Sequence, residues 1–296
     1  MRFFLKGIPF VLFALFFFLL FFASPPAFSR EILPFGFCPK YNPRIMVQLY
    51  QPFIDYLNET TPYQFELKFS RYYQEIVDQV GRGEILIASC GPVSYIKARE
   101  RYGVRPIVRA LSKDGNPSYR GITIVRRDSP IQRLQDLVGK RFAFGQAWST
   151  AGHLLPQYYL MKAGIRLRDL KAYAFLRHHD SVVGAVLKGQ YDAGAVKDIV
   201  AYQHEKEGLR FIFITDPIPT VPIIAAKKAP SEMIASVRSA LLRLGRDPSI
   251  SPQRMALWDE EFKYGFTEAK DSDYDPIRVI LRAIPLDSDK KGRVRD

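Results

Sequence analysis

Phe142-Ala143-Phe144-Gly145-Gln146-Ala147-Trp148-Ser149-Thr150-Ala151-Gly152 is the stretch on which the reading of the fold turns. After Lys140 and Arg141, the apolar run reads as a short buried strand. The small and hydroxylated residues that follow read as a turn opening a helix over Leu154 to Lys162. Strand, turn and helix in that order put unpaired N–H groups and the positive end of a helix macrodipole beside the hydroxyls of Ser149 and Thr150. Such a turn suits a small oxyanion. It also suits an ordinary N-cap at Ser149 or Thr150, and both readings stay open on this stretch alone.

The chain begins with Arg2 and Lys6, an almost wholly apolar run from Ile8 to Phe22, and Ala23-Ser24-Pro25-Pro26-Ala27-Phe28-Ser29. That pattern is a secretory signal peptide over residues 1–29, cleaved near Ser29, with an uncleaved anchor as the competing reading. The chain from Arg30 onward is therefore expected in the periplasm. Removing residues 1–29 takes away Arg2 and Lys6 and no acid, so the formal charge of +13 falls by two to +11. A basic surface of that size attracts nucleic acid, anionic lipid or small anions. Export argues against nucleic acid, and the basic residues are scattered rather than blocked.

From Arg30 the chain alternates strand and helix. Strands are expected at Ile32 to Cys38, Phe65 to Phe69, Ile85 to Ser89 and Val104 to Leu111, with helices between them, one of them stopped at Gly81. A second set of strands begins at Gly121 and runs through Phe142, Ala172, Asp192 and Phe211. Asp216-Pro217-Ile218-Pro219 is a stiff, extended break, after which a strand at Ile223 and two or three helices finish the chain. This is an α/β chain of two lobes joined by two crossover segments, near Tyr119 to Ile122 and Asp216 to Val221. Lobe 1 is expected to be discontinuous, 30–120 with 217–296; lobe 2 is 121–216.

In open α/β sheets, ligands collect at the carboxyl ends of strands, where loops feed helix N-termini. Four such turns carry suitable groups: Ser70 with Tyr72 and Tyr73, Gly91-Pro92 with Tyr95, Ser149-Thr150, and His179-Asp180-Ser181. Two fall in each lobe, as a clamp closing on its ligand requires. Cys38 and Cys90 each end an expected strand, and a disulfide between them is expected if those strands are neighbours in a parallel sheet.

Enzyme readings fare less well. Ser149 with His179 and Asp180 invites a hydrolase triad, but there is no Gly-x-Ser-x-Gly elbow, and an aspartate next to the histidine in sequence is poorly placed to orient its ring. The turn lacks the lysine of a P-loop, and the histidines show no metal spacing. No catalytic residue, cofactor or metal is expected.

Cys90-Gly91-Pro92-Val93-Ser94-Tyr95, Tyr119-Arg120-Gly121-Ile122, Gly139 to Gly145 with Ser149-Thr150-Ala151-Gly152, His179-Asp180, Asp192 to Asp198, Asp216-Pro217-Ile218-Pro219 and Asp273 to Arg278 occur in order along the chain. This ordered set resembles the phosphate/phosphite/phosphonate-binding periplasmic proteins, the PhnD-like solute receptors of ABC importers. The resemblance implies a type II periplasmic-binding-protein fold, a monomer that serves an ABC permease and ATPase complex, and a phosphorus oxyanion bound between the lobes. It implies that Tyr73, Tyr95, Ser149, Thr150, Ala151 and His179 surround the oxyanion, with Asp180 or Asp198 facing an amino substituent. The family often has a third hydroxyl where this chain has Ala151, an acidic residue where it has Leu86, and a small residue where it has His178. A periplasmic oxyanion sensor reporting to a membrane signalling protein is the alternative within the same fold.

Overall fold

The computed structural model describes residues 31–244 and 252–284. The expected signal peptide at 1–29 lies outside the described residues. The described residues from Ile32 onward form one compact unit. Among the described residues no helix is long and apolar enough to cross a membrane.

In chain order, short 3₁₀ turns aside, the first elements are β1 (Ile32–Phe37), α1 (Pro43–Thr60), β2 (Gln64–Phe69), α2 (Tyr73–Arg82), β3 (Ile87–Ser89), α3 (Pro92–Tyr102) and β4 (Arg105–Ala110). Next come β5 (Ser118–Tyr119), β6 (Gly121–Arg126), β7 (Arg141–Phe144), a π-helical turn (Thr150–Leu154), α4 (Leu155–Lys162), β8 (Ala172–Phe175), α5 (His179–Leu187), β9 (Ala193–Lys197), α6 (Asp198–His204) and β10 (Leu209–Ile214). The chain closes with β11 (Ile218–Pro219), β12 (Pro222–Ala225), α7 (Ser231–Arg243), α8 (Pro252–Met255), β13 (Phe266–Glu268) and α9 (Asp275–Ala283).

These strands form two main sheets, ordered β13-β4-β12-β3-β1-β2 and β10-β6-β9-β7-β8. Each repeats one plan. Three parallel strands run second, first, third, and the next position is taken by an antiparallel strand that arrives directly from the other lobe. In the first lobe that strand is β12, which follows the second crossing; in the second lobe it is β6, which follows the first. The crossings pair as the small antiparallel sheet β11-β5. Two α/β lobes with two crossovers are thus what the alternation had implied.

Local chemistry explains most boundaries. Asn42 caps α1, its side chain accepting from the N–H groups of Arg44 and Ile45 at 3.1 and 3.2 Å, and Pro43 takes the first helical position. The buried face of α1 is Met46, Tyr50, Phe53, Ile54 and Leu57, and it drives Phe53 against Phe35 and Phe262. α2 does not stop at Gly81 as expected. It runs on to Arg82 and ends at Gly83, whose φ of 70° is left-handed. Gly81 is needed for a different reason: a Cβ there would stand 2.4 Å from the Tyr102 ring on α3.

Two elements lacked a sequence pattern. β13 is only three residues long, yet it pairs with β4 and extends the first sheet by a strand. The segment before it, Trp258 to Phe266, is pinned by aromatic contacts, with Phe262 stacked on Phe53 at 4.8 Å and on Phe266 at 5.7 Å. Those contacts carry Asp259 and Glu261 to the end of the first sheet.

Candidate functional site

In a doubly wound sheet the crevice opens where neighbouring strands send their chains to opposite sides. In the first lobe that point lies between β1 and β3; in the second it lies between β7 and β9. The two crevices face one another. A small cavity between them is lined by Cys38 and Lys40 after β1, Tyr73 after β2, and Ser89 to Gly91 after β3. From the second lobe come Ser149, Thr150 and Ala151 after β7, His179 after β8, and Lys197 at the end of β9. Tyr119 on the crossover strand, Glu261 and the apolar or aromatic side chains of Phe37, Tyr50 and Val221 complete the wall. It offers about 50 Å³ to water centres, against roughly 10–15 Å³ for one water.

The turn after β7 is held open by backbone contacts. Gly145 N–H donates to the Gly152 carbonyl at 2.8 Å, and a Cβ on Gly145 would sit 3.2 Å from the Gly152 Cα. Two glycines are what permit that approach. Ser149 Oγ accepts from Gly152 N–H at 3.1 Å and caps the π-helical turn, so the expected regular helix start is replaced by a wider first turn. Thr150 Oγ1 accepts from Val93 N–H of the other lobe at 3.0 Å. Gln146 accepts from Tyr73 N–H at 3.1 Å, and His179 N–H donates to the Lys40 carbonyl at 2.9 Å. The lobes are closed on one another by these bonds.

His179 is buried, and burial together with the charges of Lys40 and Lys197 lowers its imidazole to about 3. Burial and these charges favour the neutral ring. Its Nδ1 accepts from Lys197 N–H at 3.3 Å, which leaves the proton on Nε2 as a donor. Tyr73 is raised above its usual range by burial, and its hydroxyl is in hydrogen-bond contact with Ser149. Tyr119 is raised likewise and touches Thr150.

A buried charge cluster borders these hydroxyls. Lys40 Nζ donates to Asp259 Oδ1 at 2.6 Å and to Glu261 Oε2 at 3.0 Å. Lys197 Nζ, from the other lobe, pairs with Glu261 Oε1 and stands 4.2 Å over the Tyr119 ring. Burial works against the Lys40 charge, but Asp259 holds its ammonium well above the usual range. Burial and the nearby Lys40 lower Lys197 to about 7, opposed by Asp198 and Asp259.

The expected site residues divide. Tyr73, Ser149, Thr150, Ala151 and His179 meet in the cavity. Tyr95 does not: its hydroxyl donates to Asp271, and its ring packs on Tyr274 at 4.7 Å. A segment far along the chain captures it. Asp180 accepts from the Asn42 side chain at 2.8 Å, tying α5 to the cap of α1, and so does not orient the His179 ring as a triad would require. Asp198 accepts from Arg120 N–H at 2.7 Å and Ile199 N–H at 2.8 Å, and lines a larger neighbouring cavity. His178 turns away to the Pro39 carbonyl at 3.2 Å.

Cys38 and Cys90 follow neighbouring parallel strands, since Phe37 pairs with Ser89, which is the placement the expected disulfide needs, and they stand there as free cysteines. A hydrogen bond between them, together with burial, pushes the Cys90 thiol up. Strand spacing of about 4.8 Å lies within the Cα separation that a disulfide spans, so the register brings the two thiols side by side.

Lys40, Lys197, Tyr119 and Glu261 were not foreseen. The two lysines follow strands at crevice positions, so the carboxyl-edge rule could have found them. Glu261 has no local signal at all.

Two closed α/β lobes with a polar cavity at both switch points define a solute-binding protein. The chain matches the family described as "ABC transporter, phosphonate, periplasmic substrate-binding protein" over residues 35–274, and it belongs to that family. It is 25% identical over 269 residues to the phosphonates-binding periplasmic protein of Escherichia coli, covering 86% of this chain and 78% of that one. It is also 25% identical over 272 residues to a phosphate-import protein of Mycolicibacterium smegmatis, covering 84% of this chain and 85% of the relative. The solved structure of a Prochlorococcus marinus relative in complex with methylphosphonate superposes with a TM-score of 0.77 at 21% identity, covering 86% of this chain and 98% of that one. The fold is that of the type II periplasmic binding proteins.

Proposed function

We propose that this protein binds a small phosphorus oxyanion, phosphonate, phosphite or phosphate, in the cavity between its lobes and delivers it to an ABC permease and ATPase. The observation that carries this reading is the convergence of Tyr73, Ser149, Thr150, neutral His179, Lys40 and Lys197 on one cavity sized for a few atoms. Hydroxyls, an imidazole N–H and ammonium groups all donate to P–O oxygens, and bonds to a charged acceptor are the strong ones. Family membership and the ligands named for the relatives support the same class.

The neighbouring cavity, with about 480 Å³ for water centres, shares Tyr119, Lys197 and Glu261 with the inner one. It is the place for an organic substituent on phosphorus, bordered by Tyr202 and Tyr264. The protein acts as a binder rather than a catalyst, as a monomer, exported and cleaved near Ser29, with lobe 1 at 30–120 and 217–296 and lobe 2 at 121–216.

Calorimetry on residues 30–296 with methylphosphonate, phosphite and phosphate tests the reading. At least one of the three should bind with micromolar or tighter affinity. No heat from any of them overturns it. N-terminal sequencing of the exported protein tests the cleavage site.

A further inference from the structure

The polar side chains that line the inner cavity can donate, with one exception. Tyr73, Ser149 and Thr150 carry hydroxyls that can turn to donate, His179 presents Nε2–H, and Lys40 and Lys197 present ammonium groups. Glu261 is the one carboxylate on this wall among the described residues. Its side chain is 7% exposed.

A carboxylate accepts and does not donate, and its two oxygens have about four lone-pair sites. Lys40 takes one site on Oε2 and Lys197 one on Oε1. Glu261 lines both cavities, so its carboxylate stands where a ligand oxygen can meet it. An oxyanion oxygen without a proton, set against such a site, puts two anionic oxygens face to face in a region shielded from water, where repulsion is weakly screened. An oxygen that carries a proton instead makes a short charge-assisted O–H···O⁻ bond.

The charge balance points the same way. Lys40 and Lys197 are matched by Asp259 and Glu261, all four buried. A monoanion adds one uncompensated charge to that balanced set, and a dianion adds two.

We propose that Glu261 reads the ligand's proton: it accepts a hydrogen bond from the P–OH of a phosphorus oxyanion and turns away sulfonates and sulfate, whose oxygens carry none. The inference rests on the phosphorus-oxyanion reading of the cavity. It makes Glu261 a specificity-determining residue that touches the ligand, built on a part of the chain that supplies no other group to the inner wall.

Methylphosphonate and methanesulfonate have nearly the same shape and differ in that proton, so their affinity ratio is the readout. By calorimetry at pH 7, the wild-type protein should prefer methylphosphonate by at least a hundredfold. Glu261→Gln, whose amide can also donate, should lower the ratio at least tenfold, mainly by gaining sulfonate affinity. Phosphorus-31 NMR on the wild type gives a second measurement that needs no variant: bound methylphosphonate should keep the shift of the monoanion as the pH is raised past the second ionisation of the free ligand. An unchanged ratio in folded Glu261→Gln, or a bound dianion, overturns the inference while leaving the phosphorus-oxyanion reading intact. A wild-type protein that binds neither compound overturns both.

Discussion

The turn after β7 and the charge cluster around Glu261 wall the same cavity, but they are made in different ways. The turn is assembled within eight residues, by Gly145, Ser149 and Gly152 bonding to one another. The cluster joins Lys40 to Asp259 and Glu261 across 219 and 221 residues, and Lys197 to Glu261 across 64. A local turn keeps its shape when one side chain changes. A buried ion cluster does not, because each charge is tolerable only while its partner is present. The first wall should therefore govern ligand affinity, and the second should govern stability as well.

The strongest challenge to that contrast is Lys40→Met. It leaves Asp259, whose side chain has no exposure, and Glu261 without their shared cation. Urea unfolding should show a loss of about 3–5 kcal/mol. A loss below about 1 kcal/mol would mean that the cluster is no more structural than the turn.

Ser149→Ala should act the other way round. Removing a hydroxyl that donates to a charged ligand should weaken methylphosphonate binding by about 1.5–3 kcal/mol by calorimetry. The lost cap should cost about 0.5–2 kcal/mol of stability. Unchanged affinity would remove Ser149 from the ligand's shell.

His179 sits between the two walls, and pH separates its effect. Its folded value of about 3 is below the ordinary 6.5, so between those limits the unfolded chain binds the extra proton and the folded protein does not. Stability contributed by the neutral ring is complete above pH 6.5 and falls as the pH drops towards 3, by up to about 1.4 kcal/mol per unit. In His179→Gln, unfolding free energy measured over that window should decline less steeply than in the wild type. Parallel curves would show that the ring is not desolvated.

The smallest effect expected is that of Tyr95→Phe. The variant loses the bond to Asp271 and should cost about 1 kcal/mol of stability while ligand affinity stays the same. A fall in affinity would return Tyr95 to the cavity and blur the distinction between wall and scaffold.

Tyr95 shows how a side chain on a well-placed helix takes its direction from distant residues. It was placed correctly on the helix after β3, but its direction depends on Asp271 and Tyr274, which come from a 3₁₀ turn late in the chain. Asp180 repeats the lesson, since its partner Asn42 belongs to the other lobe. Gly81 and Gly83 differ for a similar reason. Both are plausible stops, and the one that φ requires is distinguishable only when Tyr102 is seen against the other.

Taken by itself, the amino-acid order determined the alternation of strand and helix, the two crossings, the polar turns at strand ends, and the hydroxyls of Ser149 and Thr150. Periodicity, capping and proline stiffness act over a few residues and are written locally. Only the tertiary structure decided that Lys40, Lys197 and Glu261 share the cavity and that His179 is buried between two lysines. Those properties depend on burial and on which charges arrive from distant parts of the chain, and neither quantity exists until the two lobes close.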